Sequence, residues 1–450
     1  VELARSIGLN AFRMGIEWAR VQPSTLRSPG KVPPFDQAAI EVYSNIIAQM
    51  RKSGLEPMVT LYHFIHPEWL GEDFWLHREK MELFEQYVHE FADKVNMFLI
   101  EKHGERPVKL WLTMNEPNGM AMLTYLVGAF PHKEFGIHPA CRAWGNLINA
   151  HCRAYDAIHD LYQDRGWEKP MVTFNTMQQA IYLLDKVTTD ILNCRRNGVE
   201  RSDLESYLED GRAKFDEEVA KCPVVSEAPW INKQLEHVIK YVSTRVWDID
   251  DFESGIDAIY SSPEKNKMDY HAVDYYDPFR SLINMVNAPT IRDLRERRFS
   301  LVHAGWEWVQ NPRGLYHFLK AECINGEGLP IMIVESGMAY KVCEGMVEAR
   351  RDGATRDVFL ETHLFEAMRA LKDGVPLTSY FVWTLVDDYE WGSYMPRYGL
   401  YTVDRTRTPA KIGSRDAWGL DSGKIYSDLI AALRSGDREA IVEAFTKDYV

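Results

Sequence analysis

Five times along the chain a helical stretch runs into a glycine, a proline follows within a few residues, and a short apolar run begins. The units are SGLEPMVTLYH, HGERPVKLWLTMNE, RGWEKPMVTFN, GEGLPIMIVE and DGVPLTSYFVW. Glycine closes a helix in the left-handed conformation, and a proline just beyond it prevents the helix from continuing, so each unit reads as helix, turn, strand. The strands are apolar at successive positions, as parallel strands covered by helices on both faces must be. Two further strands, LNAFRMGI near the start and MDYHAVDYY around Tyr270, join the series without that preface. Helices are expected from Asp36 to Lys52, Glu79 to His103, Ala140 to Arg165 and Arg356 to Lys372.

The residues at the strand ends discriminate between α/β architectures. Nearly every strand finishes in a polar or aromatic group: Arg13, His63, Asn115 with Glu116, Asn175, Tyr275 with Tyr276, Glu335 and Trp383. An open doubly wound sheet concentrates its site at one switch point, whereas a closed (β/α)8 TIM barrel gathers all strand ends around one mouth. The expectation is therefore a (β/α)8 barrel whose first strand is missing from this chain. A strand upstream is expected to complete it, because an open barrel edge exposes unpaired backbone groups. No Ser/Gly-rich linker divides the sequence, so residues 1–450 are expected to form one domain. Segment 193–267 breaks the rhythm; it is rich in Glu, Asp and Lys and carries WINKQLEHVIKYV. It reads as an insertion decorating the barrel mouth, with a solvated helical excursion as the competing reading.

Two strands end in a carboxylate. In WLTMNEPNG, Glu116 follows an apolar run and precedes Pro117; in PIMIVESGMAY, Glu335 holds the equivalent place. Burying a carboxylate at an apolar strand end costs several kcal/mol unless it is paired or partly wet. An ion pair with an arginine such as Arg13 would explain either one alone. Two carboxylates in equivalent positions, facing each other across a barrel mouth, are instead the toolkit for cleaving a glycosidic bond. The region FVWTLVDDYEWGSYMPRYGLYTVD adds Trp383, Tyr389, Trp391, Tyr394 and Tyr398 around Asp387, Asp388 and Glu390. Sugars stack their C–H faces on aromatic rings and offer hydroxyls to acceptors, so mixed Trp and Glu suits a pyranose.

With these motifs in order, the chain resembles a family 1 glycoside hydrolase, the β-glucosidase and β-galactosidase family. TMNEP (Thr113 to Pro117) resembles the T-x-N-E-P acid/base motif, and IVESG (Ile333 to Gly337) resembles the I-T-E-N-G nucleophile motif. FRMGIEWARVQP, VTLYHFIHPEWL, DYYDP and GWEWVQNPRGLYHFL also match, so the resemblance runs from about Gly8 to Arg405. It implies a retaining β-glycosidase with Glu116 as acid/base and Glu335 as nucleophile. It further implies that Asn115 holds the sugar 2-hydroxyl, Arg13 and Tyr276 hydrogen-bond the nucleophile, and His63 serves the 3-hydroxyl side. Glu390 would take the 4- and 6-hydroxyls over the platform of Trp383, with Trp391 beside them.

The chain departs from the family pattern at several points. The family's first strand, with its sugar-binding Gln, is absent. The nucleophile motif has Val334 for Thr and Ser336 for Asn, and an Asn-Tyr-Tyr motif reads Asp274-Tyr275-Tyr276, which bears on rate and pH optimum. The loop GSYMPRYGL is one residue shorter than W-A-E-G-Y-x-x-R-F-G-L and lacks its second acidic residue, which bears on the sugar 6-position. FRMGIEW and MLTYLVGAFP also resemble plant galactolipid galactosyltransferases, so a transglycosylase using the same carboxylates is the alternative, ahead of a non-catalytic sugar-binding protein. A phospho-sugar hydrolase is disfavoured, because Glu390 would repel a 6-phosphate and Pro396 stands where those relatives have Lys.

Composition removes other classes of function. The formal net charge of -14, without a long basic run, argues against nucleic acid and against an anionic membrane surface, which need clustered Lys and Arg. A neutral small-molecule glycoside fits better. No apolar run of membrane-spanning length occurs, and membrane association is not indicated. Cys141, Cys152, Cys194, Cys222, Cys323 and Cys343 are scattered, suggesting neither a disulfide framework nor a metal site, and no cofactor is implied. A reducing, cytoplasmic setting is weakly favoured, and the sequence leaves oligomeric state open.

Overall fold

The computed structural model describes residues 1–26, 31–226, 252–278, 309–343, 345–350, 352–390 and 393–446. The order helix, glycine, proline, strand holds at each of its five occurrences, although the helix before Gly328 already ends at Glu322, so that glycine forms a turn and not the helix cap. Gly54, Gly104, Gly166, Gly328 and Gly374 all have φ between 64° and 90°. At Gly104, for example, the amide of the cap bonds back to Ile100 O at 3.1 Å and that of Glu105 to Leu99 O at 2.9 Å, ending helix Met81–His103. At the other end of such units, Asp36 caps helix Gln37–Lys52 by accepting from the amide of Ala39 at 3.1 Å.

The strands are β1 (Ala11–Gly15), β2 (Glu56–Thr60), β3 (Leu110–Leu112), β4 (Met171–Thr173) and β5 (Asn175–Met177). They continue with β6 (His271–Tyr275), β7 (Ile331–Ser336), β8 (Tyr340–Cys343), β9 (Met346–Glu348) and β10 (Leu377–Tyr380). Two four-stranded parallel sheets result, ordered β1-β2-β3-β4 and β10-β7-β6-β5. The one strand expected at PMVTFN is thus two, β4 and β5, broken at Phe174. β4 pairs with β3 and β5 pairs with β6, so the chain passes directly from one sheet into the other. Among the described residues no ladder joins β1 to β10.

Side chains alternate across these strands. Val59, Trp111, Phe174, Val273, Ile331 and Ile333 point outward into a large core shared with the covering helices, where Trp18 stacks on Tyr87 at 4.6 Å. Met58, Leu112, Tyr270, Ala272, Met332 and Val334 form a separate inner cluster between the sheets. Alternation runs through the break at Phe174: Thr173 is in register with inward Leu112, and Asn175 with inward Ala272.

Within segment 193–267, helices Leu204–Ala220 and Glu253–Ser261 bury Leu204, Phe215, Val219, Ile256 and Ile259 in the large core. These helices are packed, not a solvated excursion. WINKQLEHVIKYV lies outside the described residues.

Candidate active site

Strict alternation would aim Glu335 at the helices, since Ile333 faces outward and Glu335 is two residues on. The ladder between β6 and β7 slips at this point: Val273 pairs with Ile333, but Asp274 pairs with Glu335. The extra residue, Val334, is a bulge that turns Glu335 to the inward side, beside Asp274. Glu116 is re-aimed by another device. It adopts a left-handed backbone, φ 36° and ψ 60°, and Pro117 then opens helix Pro117–Met122. A left-handed non-glycine residue is strained, and Pro at the first helical position restricts the chain further. Both carboxylates therefore reach the inner face through local breaks in the strand.

Glu116 and Glu335 are each 4% exposed, and Asp274 is fully buried. One oxygen from each of the three carboxyls lies within 4.8 Å of the others. That spacing also suits a bound cation, but the charge that faces these groups in the structure is the guanidinium of Arg13. Arg13 Nη1 donates to Glu335 Oε1 at 2.5 Å, Nη2 to Asn115 Oδ1 at 2.5 Å, and Nε to Thr60 Oγ1 at 2.9 Å. The other oxygen of Glu335 accepts from Tyr276 OH at 2.8 Å. Asn175 donates to Asn115 Oδ1 at 2.7 Å and to Asp274 Oδ2, so the Asn115 oxygen is committed and, among the described residues, its amide nitrogen is left for another partner.

These neighbours tune the acids and bases. Burial, and then the charge of Glu335, push the Glu116 carboxyl up to about 8. Burial and the charges of Glu335 and Glu116 drive Asp274 well above the carboxylate range. Burial opposes the charge on Arg13, but Glu335 and Asp274 outweigh it, so its pKa rises. Burial and Glu335 raise Tyr276 well above its ordinary value, which keeps its O–H as a donor.

A second set adjoins the first. The half-buried Trp383 donates from Nε1 to Glu390 Oε1 at 2.7 Å. The His63 ring lies 6.1 Å from that of Trp383, tilted by 33°. Burial and nearby Arg13 lower His63 to about 3, so it is neutral. Burial, then the charge of Asp388, raise Glu390 to about 10. Tyr398 is buried against Tyr276 and Trp383, whereas Tyr389 and Tyr394 pair edge-to-face at 4.9 Å and are 59% and 46% exposed. Trp391 lies outside the described residues.

Arg13, His63, Asn115, Glu116, Tyr276, Glu335, Trp383 and Glu390 thus come from distant parts of the chain into one cluster of contacts. Motifs alone do not place Asp274 in the carboxylate group. A signal for it is nonetheless present in the sequence: HAVDY puts an acid inside a strand buried at all five positions.

The chain is similar to known proteins over most of its length. The family model described as Glycosyl hydrolase family 1 matches residues 1–204 and 233–434. A β-glucosidase A of Thermotoga maritima is 27% identical over 434 residues, covering 96% of this chain and 84% of that protein. A 6-phospho-β-galactosidase of Staphylococcus aureus is 25% identical, covering 90% of this chain and 82% of that protein. A solved β-glucosidase structure from Thermotoga maritima superposes with a TM-score of 0.63 at 23% identity, covering 96% of this chain and 84% of that one.

Proposed function

Because the chain belongs to glycosyl hydrolase family 1 and is a glycosidase, we propose that it hydrolyses β-glucosides, β-galactosides or related O-glycosides with retention of configuration. In this reading Glu335 attacks the anomeric carbon and Glu116 protonates the leaving oxygen, then activates water. The observation that carries it is the spacing of Glu116 and Glu335, whose nearest oxygens lie within 4.8 Å. Retaining pairs are about 5 to 5.5 Å apart, and inverting pairs leave roughly 6.5 Å or more for a water.

The surroundings support the division of labour. Glu335 receives donors from Arg13 and Tyr276, which suit a group that acts as an anion. Glu116 is an acid raised to about 8, so it carries a proton at neutral pH. Once Glu335 is consumed in the glycosyl ester its charge is gone, the pKa of Glu116 falls, and the acid becomes a base. In this reading Asn115 takes the sugar 2-hydroxyl, neutral His63 the 3-hydroxyl, and Glu390, bonded to Trp383, the 4- and 6-hydroxyls. Unphosphorylated sugars are favoured, because the groups that meet Glu390 are the Trp383 N–H and a second acid, Asp388, whereas a phosphate needs cations.

We further infer that the two sheets are halves of one (β/α)8-type barrel in a single domain, with segment 193–267 inserted in it. Support comes from the unbroken alternation through Phe174, the pair between Arg13 in one sheet and Glu335 in the other, and the family model's gap at 205–232.

The test is release of nitrophenol from a panel of β-glycosides, with and without a 6-phosphate, while the first-formed anomer is followed by proton NMR. A β-anomer is expected; an α-anomer would sink the retaining assignment. Products longer than the substrate, formed at the expense of hydrolysis, would favour a transglycosylase.

A further inference from the structure

The site holds three carboxyl groups and one guanidinium, which leaves two negative charges unbalanced if every carboxyl is ionised. Asp274 is the group with no role so far. It is fully buried, Asn175 donates to its Oδ2, and among the described residues no hydrogen-bond donor reaches its Oδ1. A buried anionic oxygen without a donor is costly, and a proton on that oxygen removes the cost. The charged and titratable groups around it are Arg13 from β1, Glu116 beyond the end of β3, Glu335 from β7 and Tyr276 from its own strand's end. Arg13 is already bonded to Glu335 and Asn115, and Tyr276 to Glu335. Glu116 is in hydrogen-bonding relation to Asp274, and Asn175 fixes the Asp274 carboxyl from the other side.

Resting on the retaining reading above, we propose that Asp274 is a positioning residue for Glu116: it keeps a proton through the catalytic cycle and donates it as a hydrogen bond to the Glu116 carboxyl. When Glu116 gives its own proton to the leaving oxygen, it becomes a carboxylate, and the Asp274 O–H stabilises that anion through a charge-assisted bond. When water attacks the glycosyl ester, Glu116 takes the water's proton, and Asp274 still holds its own. No proton is exchanged with Asp274, so atoms and charge balance at each step. The burial that drives its pKa upward, together with the two flanking acids, is what retains the proton.

Two coupled protons in one site leave a mark on the pH profile, because the alkaline limb then reports the loss of both. In Asp274→Asn the amide N–H can make the same bond but cannot titrate. Its kcat/KM should stay on the wild-type order of magnitude, and its alkaline limb should fall with a single proton where the wild type steepens to two. Asp274→Leu removes the donor and should lower kcat/KM by roughly 10- to 100-fold. The infrared carbonyl band of a protonated carboxyl, recorded near neutral pH without substrate, should be stronger in the wild type than in Asp274→Asn.

An unchanged alkaline limb together with an unchanged infrared band would overturn the proposal. So would an Asp274→Asn variant as impaired as Asp274→Leu, since the carboxylate itself would then be needed. The readings are separable by trapping a glycosyl ester on Glu335 of the wild-type enzyme with a slow, activated fluoro-glycoside. If no ester forms, the retaining reading fails. If it forms and neither the limb nor the infrared band changes, only the role of Asp274 fails.

Discussion

Arg13 and Arg356 are both enclosed, with side chains 7% and 0% exposed, yet they face opposite situations. Arg356 meets one carboxylate, Asp416 at 3.2 Å, and also donates to the carbonyls of Met338, Tyr398 and Arg397 at 2.8, 2.8 and 3.0 Å. Asp416 in turn accepts from the Ser422 hydroxyl at 2.6 Å and from the amides of Gly419 and Leu420, each at 2.9 Å. One charge meets one charge, and four of the five guanidinium N–H groups are bonded. Arg13 meets three carboxyls at once, two of which are held away from their ordinary pKa values. A buried pair whose charges are balanced holds the chain together, whereas an unbalanced one keeps protons available for transfer. The same residue type therefore serves stability at one place and chemistry at the other.

Substitutions should separate the two. Glu335→Gln should lower kcat/KM by at least roughly 10⁴-fold, about 5.5 kcal/mol of transition-state stabilisation, while the melting temperature stays level or rises. Steady-state kinetics beside calorimetry would show it, and a large loss of stability with little loss of rate would reverse the comparison. Arg356→Met should do the opposite. It strands Asp416 as an unpaired buried charge and should cost roughly 3–5 kcal/mol in urea unfolding, with the rate per folded molecule near that of the wild type.

A smaller effect, and one with a sign, concerns Glu116→Gln. The carboxyl of Glu116 titrates near 8 in the folded protein against an ordinary value of 4.5. Below the ordinary value both folded and unfolded chains are protonated. As pH rises the unfolded chain ionises first, so the wild type loses stability until the folded pKa is passed. The variant has no such group and should be more stable than the wild type by roughly 3 kcal/mol at pH 7, and nearly equal to it at about pH 4. A stability difference that does not vary with pH would show that Glu116 is not held protonated.

The smallest effect is expected at His63. With its pKa near 3, its ring carbon resonances should not move between about pH 5 and 8, where a free histidine titrates. A shift in that range would mean that the ring is wetter, and Arg13 less dominant, than the geometry implies.

The sequence by itself determined the parallel strands and the helices ahead of them, because the glycine and the proline that precede five of the strands act within a few residues. It also identified Glu116, Glu335 and most of their companions, since a polar group at the end of an apolar strand stands out locally. Direction was beyond its reach. Alternation alone sends Glu335 toward the helices, and only the bulge at Val334, defined by pairing with β6, turns it inward. The left-handed turn at Glu116 is likewise set by the helix that Pro117 opens and by the space available. Nor could reading along the chain collect Asp274 with the other two carboxyls. Its charge state depends on groups from four other strands, and that field exists only once the sheets have brought the three carboxyls within 4.8 Å. Propensity and punctuation are local properties of a chain, whereas the energy of a buried charge is a property of everything packed around it.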